Sequence, residues 1–368
     1  MYRAFFSPLD RIPRYVISCK GQNPPPSYLL IQRQEQNNFS LLIPEKAVCL
    51  MRKNPSAREQ LEEKYKKQRR DAQKSRFRRR LPGMLLAAVL MLLVCGIVWL
   101  TVTAKKPRLP DMPVCVCVLD VGQGDAILVR SQGHAALIDG GEVTEGNRLV
   151  QLLRDAGVRR LDCVINSHPH SDHLGGLQSV LDQMPVAQIY FPDIPQALLP
   201  TTAGYLHFLE TAAQKQIPTA FPACGQTVTV GAAELTFLCT DNSAFDNLND
   251  CSLGVCVRCG DFRFLAAGDA EEAAERAFVA AGLIEPVTVL KISHHGSKTS
   301  STAELLSAAA PQYSCISAGA GNDYGHPAAQ TLQALAERKI AVYRTDLDGT
   351  ICIATDGSSA QITVHALE

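Results

Sequence analysis

The chain has 368 residues, 46% of them hydrophobic and 20% charged, with 36 basic and 36 acidic side chains. This balance excludes a wholly disordered or collagen-like chain and leaves room for one large domain or two modest ones. The formal net charge of +0 hides a divide: residues 1–82 carry 19 Lys/Arg against 7 Asp/Glu, and the remainder 17 against 29, so a basic leader precedes an acidic body.

Residues 1–53 show only two strand-like runs, Tyr28–Gln32 and Phe39–Ile43, whose polar spacer suits a small hairpin. From Ser56, with Glu59 in a capping-box position, the pattern turns helical without an apolar stripe. This segment reads as a solvated helix, either touching anionic head groups or serving only to set topology. Met84–Val102 is an uncharged apolar run of about 20 residues, enough to cross a bilayer, with Trp99 near its far end as an interfacial anchor. It is long for a cleaved signal peptide and lies far from the N-terminus. Lys74–Arg80 before the run is more densely basic than Lys105, Lys106 and Arg108 after it. The expectation is a single-pass cell-membrane protein: residues 1–82 cytoplasmic, 83–104 transmembrane, and a catalytic domain outside the cytoplasm.

Pro107, Pro110 and Pro113 mark 105–113 as an extended linker. Strands are then predicted at Val114–Asp120, Asp125–Arg130, Ala135–Asp139 and Cys163–Asn166, with a helix at Arg148–Ala156. Leu253–Arg258 and Phe262–Ala267 form a hairpin across Gly260-Asp261. Helices Glu271–Ala281, Thr302–Ala310 and Ala328–Arg338 alternate with strands Val287–Ile292, Ala341–Arg344, Thr350–Ala354 and Gln361–Val364. The mixture predicts a layered α/β domain over 114–368. Ten of the 13 cysteines follow the apolar run. Some pairing is expected outside the cytoplasm. Cys115, Cys117 and Cys256 nevertheless sit in apolar strands, so most thiols read as buried and unpaired, and the lone Cys256–Cys259 CxxC carries little weight.

The chemistry concentrates in Ser167-His168-Pro169-His170-Ser171-Asp172-His173, a turn that follows a strand and precedes Gly175-Gly176. Imidazoles and a carboxylate at this spacing suit zinc and related divalent ions. Gly268-Asp269 and His294-His295-Gly296 each close a strand in the same way, so ligand-type residues gather along one sheet edge.

Taken with Leu119–Ala126, Leu137–Gly141, Ala267–Glu271, Leu290–Ser300, Asn322–Pro327 and Tyr343–Asp346, these motifs resemble the metallo-β-lactamase superfamily. More narrowly, the chain from about Val114 onward resembles the extracytoplasmic hydrolase domain of ComEC-type DNA-uptake proteins. The resemblance implies an αββα sandwich holding two divalent metals, zinc or manganese. It implies His168 and His170 on the first metal, Asp172 and His173 on the second, and Asp269 bridging. One of His294 and His295, with His294 favoured, completes the second site, and Asp139 orients the histidine loop. A third histidine that many members place on the first metal is missing. Its position falls near Asn249-Asp250-Cys251-Ser252, where Asn249 or Asp250 is expected to offer oxygen, favouring manganese alongside zinc. Asp172, Lys298 and His326 are the expected catalytic groups, with the Ser297–Ser300 hydroxyls beside a phosphate.

Three functions fit: a phosphodiesterase or nuclease acting on DNA, a hydrolase of another ester or amide such as a lactone or cell-wall component, and a non-enzymatic anchored module. The ligand set disfavours the third. The acidic body and the single membrane run weigh against the first, unless a separate channel protein is a partner.

Overall fold

The computed structural model describes residues 28–31, 41–44, 55–103, 109–110 and 112–367. The chain divides into two units, Met1–Val102 and Thr103–Glu368.

In the first unit, β1 (Tyr28–Ile31) pairs antiparallel with β2 (Leu41–Pro44), the expected hairpin. One helix, α1, spans Pro55–Thr103. Proline suits the first helical position because its missing N–H would have no intrahelical partner there. The helix therefore begins one residue before Ser56, which lies inside the first turn instead of capping it. The large apolar side chains from Met84 to Val94 are exposed. Among the described residues, no helix is long and apolar enough to cross a membrane. The side chains of the predicted span beyond residue 96, and most of the predicted linker, lie outside the described residues.

The second unit contains two sheets with the same wiring. The first is built from β3 (Val114–Val118), β4 (Ile127–Ser131), β5 (His134–Ile138), β6 (Cys163–Ile165), β7 (Ile189–Tyr190) and β8 (Thr219–Ala220). The second is built from β9 (Thr227–Val230), β10 (Ala233–Leu238), β11 (Gly254–Cys259), β12 (Phe262–Ala266), β13 (Val289–Lys291), β14 (Tyr313–Ile316) and β15 (Ala341–Arg344). Two last strands, β16 (Ile351–Thr355) and β17 (Ala360–Thr363), return to the first sheet beside β3. In each sheet an antiparallel meander gives way to parallel pairing, from β5 onward in the first and from β12 onward in the second. Parallel neighbours need crossovers, and helices such as Gly146–Asp155 and Ala303–Ala309 supply them.

Strand periodicity divides the core. Val114, Val116 and Val118 point between the sheets, where Leu235, Phe237, Phe264 and Ile353 meet them. The opposite face of the first sheet is covered by Leu149, Leu153, Val180, Leu181 and Phe208, and that of the second by Phe278, Leu306 and Leu335. The result is the expected αββα order of layers. Residues 219–238 hold a strand and a hairpin that the sequence pattern left unassigned, and β14 was likewise missed. These strands are two to six residues long, too short for a distinctive period.

Cys117 and Cys352 face each other across β3 and β16 and form a disulfide. Pairing replaces the expected buried thiol at Cys117. The partner lies 235 residues away, so no local pattern announces it.

Candidate metal centre

The parallel strands carry the site at their C-terminal ends. β5 leads into Asp139, β6 into the histidine turn, β12 into Asp269, β13 into His294-His295 and β14 into Ser317. Backbone strain gathers at the same edge: Asp139, His294 and His295 all have left-handed φ, at 57°, 51° and 54°. Such conformations cost energy for residues with a side chain and persist where surrounding contacts hold them.

Asp139 organises the turn. Its Oδ1 accepts from the Ser167 N–H at 2.7 Å and from Asn166 Nδ2 at 3.1 Å. Its Oδ2 accepts from Ser167 Oγ at 2.6 Å and from His173 Nδ1 at 2.9 Å. The latter bond leaves His173 Nε2 facing the site. Close approach explains the glycines. A Cβ on Gly176 would collide with the Gly140 carbonyl, and one on Gly268 would lie 2.7 Å from the Ser167 side chain. Gly176 is thus required by space, since its own φ of −72° is ordinary helical backbone.

Asp172, His173, Asp269 and His295 each offer a ligand atom within 4.8 Å of the others. His295 Nε2 is 3.1 Å from Asp172 Oδ2 and 3.5 Å from Asp269 Oδ2. His295 Nδ1 donates to the Ser317 carbonyl at 3.0 Å, which commits Nε2 to the site. On the other side of Asp269, His168 Nε2 and His170 Nδ1 lie 2.9 Å apart, and His168 Nε2 lies 4.0 Å from Asp269 Oδ2. The Asp269 carboxylate therefore stands between two sets of imidazoles. Its Oδ1 and His173 Nε2 are 3.1 Å apart, yet both are buried without a hydrogen-bond partner. Lone pairs converging in this way fit divalent cations. His168 with His170 would hold one, and Asp172, His173 and His295 the other, with Asp269 shared.

The charges agree with an electron-rich pocket. Burial opposes ionisation of Asp269, but His173 and His295 outweigh it and hold the carboxyl well below the usual range. Burial likewise opposes protonation of His295, but Asp269 and Asp125 push its pKa up to about 10. Burial, helped by the charge of His173, holds His168 well below the usual imidazole value, leaving it ready to ligate.

Several expectations change. His295, rather than the favoured His294, completes the four-residue group. His294 Nε2 is 3.8 Å from Asp269 Oδ2, while its Nδ1 lies near Glu271 Oε1 at 3.3 Å and Thr299 Oγ1 at 3.2 Å. Asp250 is not a ligand: its Oδ1 accepts from the backbone N–H groups of Glu271 and Ala274, capping helix Glu272–Ala280. Asn249 does reach the site. It lies against His170, donates to Glu271 Oε1 at 2.9 Å and keeps its Oδ1 buried at the site. Ser297 and Ser300 are buried and bonded internally, to Thr299 Oγ1 and the Ala270 carbonyl, so neither hydroxyl awaits a phosphate. Lys298 is exposed on this loop. His326 stands at the site's margin, its ring 5.6 Å from that of His294 and 6.4 Å from that of His295.

Two supporting groups were missed. Lys291 Nζ and Asp125 Oδ2 form a 2.8 Å ion pair, and both side chains are essentially inaccessible. Asp125 Oδ1 is 3.3 Å from His295 Nδ1, so the pair backs the ligand. A lysine inside the apolar run Val287–Ile292 was the available signal. Glu275 is the second: its carboxylate accepts from the N–H groups of Ser301 and Thr302, both at 2.7 Å, and fixes the loop that follows His295. Burial pushes its pKa up to about 7 against those two donors. Nothing in its helix distinguishes it by pattern from its acidic neighbours.

A four-layer sandwich with two sets of imidazoles around one carboxylate defines a metal-dependent hydrolase. The family model described as the metallo-beta-lactamase superfamily matches residues 119–320, and the chain belongs to that superfamily. Among curated proteins the chain is 32% identical over 256 residues to "Competence protein ComA" of Neisseria gonorrhoeae, covering 68% of this chain and 33% of that protein. It is 26% identical over 254 residues to "ComE operon protein 3" of Bacillus subtilis, covering 64% and 32% respectively. It is 28% identical over 266 residues to "Recombination protein 2" of Haemophilus influenzae, covering 71% and 31%. The matching domain is thus of the kind these relatives carry, and the alignments span about a third of their length.

Proposed function

We propose that this chain is a membrane-anchored phosphodiesterase of the ComEC type that cleaves DNA on the outer side of the cytoplasmic membrane. The observation that carries the reading is the position of Asp269 between His168 and His170 on one side and Asp172, His173 and His295 on the other. Two cations held this way would supply Lewis-acid polarisation, which suits in-line displacement at phosphorus. Asp172 orients the attacking group. His326, beside His294, would deliver a proton to the leaving oxygen. Lys298 offers an ammonium to a non-bridging oxygen. Asn249 Oδ1 stands in for the absent third histidine, and an oxygen there favours manganese at least as much as zinc.

The anchor rests on the uncharged run Met84–Val102 and on the exposed apolar side chains from Met84 to Val94. The Cys117–Cys352 disulfide fits an oxidising compartment. The names of the relatives speak of competence and recombination, which suits DNA as substrate and a separate channel protein as partner. One observation favours a rival: residues 83–368 carry 17 basic against 29 acidic groups, better suited to an uncharged ester or amide such as a lactone or cell-wall component. The test is the purified full chain in detergent, loaded with manganese or zinc. It is assayed on single-stranded DNA, duplex DNA, small phosphodiesters, a lactone and an amide. Cleavage of phosphodiesters supports the reading. Intact phosphodiesters with an opened lactone or amide replace it.

A further inference from the structure

Tyr324 is the most exposed large aromatic side chain among the described residues, at 71%. It is not placed at random. Its ring lies 5.9 Å from that of His326 with an interplanar angle of 24°, and His326 in turn lies 6.4 Å from His295 at 26°. Tyr324, His326 and His295 therefore form a series of rings that steps from solvent to the ligand cluster. The turn that carries them is braced. Asn322 Nδ2 donates to the carbonyls of Gly319 and His326, at 2.9 and 2.6 Å, and its Oδ1 accepts from the His326 N–H at 3.0 Å.

We infer that Tyr324 is a stacking ledge for a planar base of the substrate, placed beside the metal centre so that an unpaired nucleotide presents its phosphodiester to the ligand cluster. The inference rests on the phosphodiesterase reading and deepens it. A base can lie on an exposed ring face only when it is free of its own partner strand, so the ledge selects single strands over duplex. Base–aromatic stacking tolerates every base and needs no charge, which suits a domain whose overall balance is acidic.

The experiment compares kcat/KM of the full manganese-loaded protein on a short single-stranded DNA and on an abasic strand of the same length. The wild-type protein should prefer the base-bearing strand by about tenfold to a hundredfold, the range expected for one stacked base. Tyr324→Ala should bring that ratio close to one, and Tyr324→Trp should restore it. Because the side chain is largely exposed, truncation should leave the melting temperature unchanged. An unaltered preference in Tyr324→Ala, or equal cleavage of both strands by the wild-type protein, overturns the ledge and leaves the phosphodiesterase reading standing. Cleavage of neither strand overturns both.

Discussion

Asp172 and His295 are 123 residues apart in sequence, yet their Oδ2 and Nε2 atoms meet at 3.1 Å. Asp172 enters from the turn after β6 in the first sheet, and His295 from the segment after β13 in the second. The metal centre is therefore a junction between sheets, and its integrity depends on both halves of the sandwich.

The adjacent histidines should separate in their effects. Asp269→Ala should lose metal from both positions. His295→Ala should weaken metal binding by well over the about 10–100-fold typical of a residue behind a ligand, and His294→Ala by no more than that. Metal content by mass spectrometry after dialysis at graded free metal decides it. Full occupancy in Asp269→Ala, or equal losses in the two histidine variants, contradicts the geometry.

Asp139→Asn should lower metal affinity by about 10–100-fold while leaving the fold intact. The carboxylate accepts four hydrogen bonds from the histidine turn, including the one that orients His173. An amide oxygen can replace some of these bonds, but its NH2 faces donors. Competition with a chromophoric chelator measures the loss, and wild-type affinity would show that the turn orients itself.

The metal-free protein should show a sign-defined pH dependence. Burial opposes protonation of His173 and His295, but Asp269 and its carboxylate neighbours raise both, His295 to about 10. A raised histidine contributes stability that is complete below its unfolded pKa of about 6.5 and disappears as pH rises toward about 10. Burial opposes ionisation of Asp172, but His295 and His173 lower its pKa to about 2, so its contribution is complete above about pH 4 and fades below. Chelator-treated protein should melt progressively lower from about pH 6.5 toward pH 10, and Asp172 adds a further loss below about pH 4. Metal-loaded protein should resist the alkaline loss, and loading near neutral pH should release protons. A metal-free melting temperature that climbs from pH 6.5 to 10 would refute this account.

Lys291→Met should destabilise the protein by about 3–5 kcal/mol, because it strands the buried Asp125 carboxylate. The paired change Asp125→Asn with Lys291→Met should cost less than Lys291→Met alone. Denaturant titration of the three proteins tests the order, and a milder Lys291→Met would mean that Asp125 finds another partner.

Topology has its own test. Protease added to intact cells with a permeable wall should degrade residues 105–368 and spare residues 1–80. Complete protection of the C-terminal domain would reverse the orientation drawn from Lys74–Arg80.

The histidine turn was legible in sequence because its four ligand-type side chains fall within six positions, between an apolar strand and two glycines. The sandwich was legible because alternating valines and amphipathic helices declare their faces locally, while two-residue strands such as β7 and β8 declare nothing. Other choices belong to the tertiary structure. Two neighbouring histidines in left-handed conformations project differently, and only the Ser317 carbonyl and Asp172, reached through other strands, commit His295 to the metals. Asp250 looks like an oxygen ligand until helix Glu272–Ala280 starts above it and takes its carboxylate as a cap. Cys117 and Cys352 become partners, and Lys291 and Asp125 a pair, across 235 and 166 residues. Side-chain identity can be read along the chain, but a ligand, a cap, a disulfide or an ion pair is a relation between two positions, and distance in space is set by how the sheets pack.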